Sequence, residues 1–327
     1  MTRGLEQVVT IKRYMPTMAQ EWDRFVEESR NGTFLHKRGY MDYHADRFAD
    51  HSLMCYAEDK LIAILPAHII ADSFCSHNGL TYGGLLLHND TTTETTLRIF
   101  NEILKYLQTH TGASRFIYKP TPYIYHCYPC EEDLYALFRH EAKLVERKVS
   151  SAIAMEKPLP ISGRRKLTAT TKEKLRIVED YDFEPFWQIL NERLQERYGV
   201  TAVHNIDEIK LLKSRFPDNI KLFVITDNED NQLGGVILFI TDNVVHMQYT
   251  ATTDEGRRIS ALDHLYDYLI NERYAGMKYF DFGISVENGG YILNNGLIAY
   301  KERLGGRAVV YDTYTIELKK RDNDKIQ

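Results

Sequence analysis

The sequence has few cysteines, no long apolar run and no excess of positive charge, and each shortage excludes a class of protein. Only four cysteines occur in 327 residues, too few for a disulfide framework, so a small stapled extracellular scaffold is excluded. Two of them, Cys127 and Cys130, stand at CxxC spacing beside His126 in "YIYHCYPCEEDLY". A structural zinc would need a second ligand pair at comparable spacing, and the sequence has none, so no metal is expected. A redox CxxC normally opens a helix after a strand. Here Pro122 and Pro129 mark a loop, and the two cysteines read as ordinary loop residues.

Nowhere do 18 apolar residues follow one another, so no membrane span is expected. The opening "MTRGLEQVVTIKRYMP" holds no apolar run of signal-peptide length, and the expectation is a soluble cytoplasmic protein. Forty-one lysines and arginines stand against 46 aspartates and glutamates, a net charge of -5. No global basic field exists, so a dedicated DNA-binding protein is excluded, although a local basic groove is compatible with this balance. What the chain does have is apolar mass. It is 43% hydrophobic, with 22 Tyr and 14 Phe, enough to bury one long or two ordinary domains.

The main organisational feature is an internal repeat with a period of about 170 residues. "WDRFVEESRNGTF" and "FEPFWQILNERLQERYG" both place aromatic and leucine residues at helical spacing. Each is followed by a second helix and then a hairpin: "SLMCYAEDKLIAILPAHII" turns at Glu58-Asp59-Lys60, and "IKLFVITDNEDNQLGGVILFITDNVVHMQYTATT" turns at Asp227 to Asn231 and again at Asp242-Asn243. One long helix comes next in each half, "TTTETTLRIFNEILKYLQTHTG" and "GRRISALDHLYDYLINERYAG". Each helix then leads into a strand, "ASRFIYKPTP" or "MKYFDFGIS". The shared order predicts an α/β unit used twice, over residues 1–160 and 166–327, with a linker punctuated by Pro158, Pro160 and Gly163.

This order resembles the Gcn5-related N-acetyltransferase (GNAT) fold, and the tandem pair resembles the FemABX family of acyltransferases, in particular the FemAB-like, BioF2-like acetyltransferase group. "NGTFLHKRGYMDYHADRF" and "ISVENGGYILNNGLIAYKERLGGR" carry the likeness, which spans nearly the whole chain. The resemblance implies two tandem GNAT-like units with a cleft between them, the first unit being a degenerate copy on the acceptor side and the second binding the donor. It implies transfer of an acyl group to an amine, from acyl-CoA or from aminoacyl-tRNA, to a small-molecule, peptidoglycan or polysaccharide precursor. "YKERLGG" is similar to the family's C-terminal "FK..FG" element, which places Lys301 at its lysine. The chain departs from the family at "TTDEGRRIS". That stretch has one glycine, Gly256, where a GNAT phosphate loop has more, and nothing in the chain matches the long helical hairpin of some tRNA-using members.

Acyl transfer needs positive charge or donors at a developing oxyanion and a base for the amine. Lys301 and Arg307 can supply the charge, and glycines 289, 290, 305 and 306 would let backbone approach a ligand; the alternative is a surface helix or strand with a solvated lysine. Arg257 and Arg258, beside Gly256 at the start of the long helix, either meet a donor phosphate or pair with Asp254 and Glu255. Asp281 in "YFDFG" is either a cleft-facing base or a turn cap, and Tyr249 is a second candidate for the chemistry, while His246 reads as a sheet residue. Glu287 and Asn288 in the turn could position the acceptor amine, and Asn294 belongs to the same segment. In the first half, His36, Lys37, Arg38, His44 and Arg47 surround Tyr40 and Tyr43, either to receive an anionic acceptor or as an amphipathic helix under the sheet. Tyr82 is placed on a possible cleft wall. The rival to catalysis is a binding protein that keeps the double fold without donor binding.

Overall fold

The computed structural model describes residues 8–159 and 173–318. The chain forms two compact units, one comprising Met1–Lys148, Asn288–Tyr291 and Val310–Gln327, the other Val149–Glu287 and Ile292–Val309. This division departs from the one suggested by the Pro/Gly linker. The boundary falls inside two strands, β8 (Lys143–Ala154) and β16 (Arg307–Glu317), whose two ends lie in different units. The physical reason lies in the pairing. Residues 152–154 of β8 join the second unit's sheet, whereas Tyr314 to Glu317 of β16 pair in the first. Most of the expected linker lies outside the described residues.

The first unit contains β1 (Val9–Arg13), α1 (Ala19–Glu28), a short α2 (Arg38–Met41), β2 (Leu53–Ala57), β3 (Lys60–Leu65), β4 (His68–Ile70), β5 (Ser73–Cys75), β6 (Leu86–Leu87), α3 (Thr93–His110), β7 (Arg115–Tyr118) and α4 (Glu132–Arg139). One sheet has the order β1-β2-β3-β6, and another runs β4-β5-β7-β16. The β2–β3 hairpin turns through Glu58 at φ 54. Helix α3 starts where the Thr92 hydroxyl accepts from the Thr95 amide, and it buries Thr96, Ile99, Phe100, Ile103 and Leu107 at helical spacing. These side chains meet Phe74, Phe116 and Tyr118 from the sheet to form the unit's apolar core.

The second unit contains β9 (Arg176–Asp180), α5 (Glu184–Tyr198), α6 (Ile206–Arg215), β10 (Ile220–Thr226), β11 (Gln232–Ile240), β12 (Val244–Thr252), α7 (Asp254–Ile259), α8 (Ala261–Tyr268), β13 (Tyr279–Ile284), β14 (Val286–Glu287), β15 (Ile292–Leu293) and α9 (Asn295–Arg303). Its sheet has the order β8-β13-β12-β11-β10-β9. Both turns expected between β10, β11 and β12 form. In the first, Asp227 Oδ1 accepts from the Glu229 and Asn231 amides. The single long helix expected after β12 does not form. Ser260 adopts φ 60 and divides it into α7 and α8, and a π-type turn over Leu269–Arg273 follows. Gly256 has a packing reason, because a Cβ there would lie 2.2 Å from the Leu233 carbonyl oxygen. Below the sheet, Leu265, Tyr266 and Leu269 pack on Val236, Leu238, Val245, Phe280 and Phe282.

Four histidines lie inside the first unit, His36, His44, His68 and His77. Burial lowers His36 to about 3, His68 to about 4 and His77 to about 2, the last two also disfavoured by nearby His44 and Lys119. These values lie below the ordinary histidine value of about 6.5. The unfolded chain therefore takes up protons that the folded chain refuses. Stability is complete above pH ~6.5 and falls as pH drops from there towards ~4. Urea midpoints measured from pH 7.5 to 4 should decline across this window, with a shallower slope in His77→Asn; a midpoint flat over the window would contradict this burial.

Candidate active site

In the second unit β12 and β13 run parallel, and their ladder has three rungs: Val244↔Tyr279, Val245↔Phe280 and His246↔Asp281. Beyond the third rung the ladder stops although both strands continue, β12 to Thr252 and β13 to Ile284. The two strands form a fork with Met247–Thr252 as one arm and Phe282–Ile284 as the other. Two irregularities accompany the parting. The β11–β12 register shifts so that Ile237 faces Tyr249 and Leu238 faces Met247, which leaves Gln248 bulged out. On the other arm Gly283 adopts φ 75, where an L side chain is strained.

The last rung forms the base of the fork. Asp281 is fully buried, with its carboxylate accepting from Ser150 Oγ, from the Gly283 amide at 3.1 Å and from His246 Nδ1 at 2.8 Å. Phe280 and Phe282 point into the core and Asp281 to the opposite face, as period-two alternation requires. The His246 side chain keeps 13% exposure. From sequence His246 reads as a sheet residue ahead of a catalyst. The pairing that brings it to Asp281 joins residues 35 apart, and the spacing of neither strand announces that register.

Lys301 sits on α9 with its side chain in the interior, 7% exposed, and its ammonium donates to the Gly283 and Ile284 carbonyls, each at 2.8 Å. The segment is therefore a helix whose lysine turns inward, neither the ligand-lining hairpin nor the solvated surface lysine considered from sequence. Burial pulls Lys301 down to about 8, with Asp281 acting in the opposite sense. Gly306 lets this turn close, because a Cβ there would approach the Lys301 carbonyl and the Phe282 ring. Arg307 is exposed and donates to the Gly306 carbonyl at 2.6 Å.

The other expected residues of this unit are dispersed. The Tyr249 hydroxyl is 2.6 Å from His204 Nδ1, its ring packs edge-on against Trp187, and burial raises its pKa. Arg258 pairs with Glu255 and Arg257 with Asp254, all on the surface of α7, while the Thr253 hydroxyl already accepts from the Gly256 amide. The helix end and its arginines are thus occupied by local partners. Glu287 lies exposed in the β14–β15 hairpin, and Asn294 caps α9 by accepting from the Leu297 amide.

The first unit has a comparable parallel pair, β5 and β7, ending at Cys75↔Ile117. Here the chain closes the fork itself. The Lys119 amide donates to Ser76 Oγ, Gly83 donates to the Lys119 carbonyl at 3.0 Å, and Thr121 Oγ1 returns a bond to Gly83. Gly83 must be glycine, since a Cβ would lie 2.2 Å from the Ser76 oxygen. Tyr82 is buried against Tyr125 and bonds Thr33, so it is part of the interior and not a wall for substrate. Arg38 corrects the sequence reading in the same way. It is 5% exposed, stacked 3.9 Å from the Tyr14 ring and paired with Asp42 and Asp50, which makes it a structural cation. Lys37 lies at the surface in an ion pair with Glu27. The four cysteines are free thiols, and among the described residues no group of three or more histidine, cysteine or acidic side chains converges as a metal site. No helix among the described residues is long and apolar enough to cross a membrane.

Residues 162–302 match a family profile described as an acetyltransferase (GNAT) domain. Among solved structures, FemX is similar over 94% of this chain and 97% of its own, at 12% identity and a TM-score of 0.64. The L-PGS structure from Bacillus licheniformis aligns over 94% and 92% at 12% identity and a TM-score of 0.56. A tandem GNAT protein from the clavulanic acid biosynthesis pathway aligns over 96% and 100% at 10% identity and a TM-score of 0.51. Together they show a GNAT-like α/β fold of the FemX type, with the acetyltransferase (GNAT) domain match confined to residues 162–302. No curated protein sequence matches the chain.

Lys301 generates a test of this geometry. Lys301→Met would leave the buried Gly283 carbonyl and the part-buried Ile284 carbonyl without their donor, at about 1–3 kcal/mol for the buried one and less for the other. Chemical denaturation should show a loss of about 2–4 kcal/mol for Lys301→Met and a change within about 0.5 kcal/mol for Arg307→Ala. Equal, small effects would remove the anchoring role assigned to the lysine.

Proposed function

We propose that the chain is an N-acyltransferase whose second unit binds the acyl donor in the β12–β13 fork and passes the acyl group to an amine of a cell-envelope or polysaccharide precursor. The observation that carries this reading is the ladder that stops at His246↔Asp281 while both strands continue, in the unit covered by the GNAT domain match. An extended donor laid between the arms meets the β12 edge beyond His246, which has lost its β13 partner, and such backbone groups can bind a carbonyl or amide. The first unit, whose fork is closed by its own Gly83 and Lys119, would shape the acceptor side. Within the second unit, Asp281 would act from the base of the fork, and Lys301 would hold the Gly283 arm in place.

The donor is an acyl thioester such as acyl-CoA or an aminoacyl ester such as aminoacyl-tRNA. The aminoacyl reading is favoured by the end of α7. Thr253 and the acidic Asp254 and Glu255 occupy the position where a pyrophosphate would seek free amides and positive charge. The FemX and L-PGS likenesses are compatible with that choice, and the cytoplasm is the compartment where both donors are found.

The test is a thermal-shift and hydrogen-exchange comparison with acetyl-CoA, longer acyl-CoAs and bulk aminoacyl-tRNA. A true donor at about a hundred times its Kd should stabilise the fold by about 2.7 kcal/mol. It should also protect the amides of residues 247–256 and 281–286. Stabilisation by none of the three, with protection absent from both arms, would leave the fold as a binding module without donor chemistry.

A further inference from the structure

We propose that His246 is the proton acceptor of the transfer and Asp281 its positioning residue, a histidine–carboxylate pair built into the last rung of the fork. The inference rests on the reading of the second unit as the acyl-transfer unit. Three observations carry it. Asp281 is buried and accepts from Ser150 and the Gly283 amide as well as from His246, so its carboxylate is fixed in place. Against an ionised Asp281, which can only accept, His246 Nδ1 carries the hydrogen, which leaves Nε2 with a lone pair. The described residues offer Nε2 no hydrogen-bond partner, and the imidazole retains exposure. Finally, residue 283 has no side chain beside the ring. A Cβ there would come into ordinary contact with His246 Cε1 at 3.6 Å, and the φ of 75 is a conformation in which an L side chain is strained.

The arrangement places a neutral base where the two arms part. In the step, the amine nitrogen attacks the acyl carbonyl carbon of the ester or thioester, and a C–N bond forms. The N–H proton passes to His246 Nε2. The C–O or C–S bond of the donor then breaks, and the imidazolium returns the proton to the departing oxygen or sulfur. Imidazolium formation is stabilised by the Asp281 carboxylate, which stays ionised throughout. The Lys301 ammonium also interacts with the Asp281 carboxylate. Tyr249, on the same strand, is engaged with His204.

The test has two readouts on the full chain. The first needs no substrate: spectra of 15N-histidine-labelled protein, with the signal of His246 assigned by its loss in His246→Gln. At pH 7.5 the wild type should show a protonated Nδ1 and a bare Nε2, and Asp281→Asn should disturb that tautomer. An Nε2–H tautomer in the wild type overturns the proposal. The second is transfer to hydroxylamine, a small amine acceptor, from acetyl-CoA and from aminoacyl-tRNA. His246→Gln should lower kcat by about 10²–10⁴-fold with little change in KM and remove the acid limb of the pH profile. Ser150→Ala, which leaves the histidine bond in place, should reduce kcat less and keep that limb. Transfer by the wild type that is equally fast in His246→Gln sinks this assignment alone. Failure of the wild type to transfer from either donor sinks the acyl-transfer reading and this assignment with it.

Discussion

The second unit depends on where one parallel ladder stops. For three rungs β12 and β13 share hydrogen bonds; beyond them β12 keeps only its ladder with β11, and β13 only its shifted pairing with β8. A parallel pair in mid-sheet ordinarily continues as long as both strands do, since unpaired backbone groups in an interior are costly. Here the break is supported from both sides. The bulge at Gln248 redirects one arm, and the Lys301 ammonium takes up two carbonyls of the other. The buried lysine and the open fork belong to one device, in which a side chain from α9 compensates for rungs that a ligand would otherwise have to replace.

The same constraint separates the two units. Both carry a short parallel pair followed by a long connection back to the sheet, yet only one fork stays open. In the first unit the loop after β5 returns to bond Lys119 through Gly83, and Tyr82 packs behind it against Tyr125. A unit of this order can thus fill the gap between its parallel strands with its own backbone, without losing a strand. The buried charges in that unit follow the same logic. Arg38 is satisfied by two carboxylates and an aromatic face, an arrangement that serves packing and leaves nothing for a substrate.

Local features of this chain were legible in its residues because short-range rules govern them. The hairpin turns at Glu58 and Asp227, the threonine start of α3 and the inward–outward alternation of "YFDFG" each depend on a few neighbouring side chains. The repeat and the family likeness also came from linear patterns. The break of the second long helix was harder to see, since nothing in "GRRISALDHL" compels a left-handed serine. The close approach of α7 to β11 through Gly256 shows the packing around that break.

By itself the sequence determined the α/β class, the order of elements and the segments that hold the candidate chemistry, because periodicity and capping act within a few residues. Only the tertiary structure decided which of those residues meet. It set His246 on Asp281 across 35 positions, turned Lys301 inward to the Gly283 arm, and tied the arginines of α7 to their own acidic neighbours. Strand register and helix rotation fix those encounters, and both depend on how the core packs over the whole unit. A lysine read from sequence as a solvated charge or a ligand contact therefore became an anchor, and a histidine read as a sheet residue came to stand at the base of the fork.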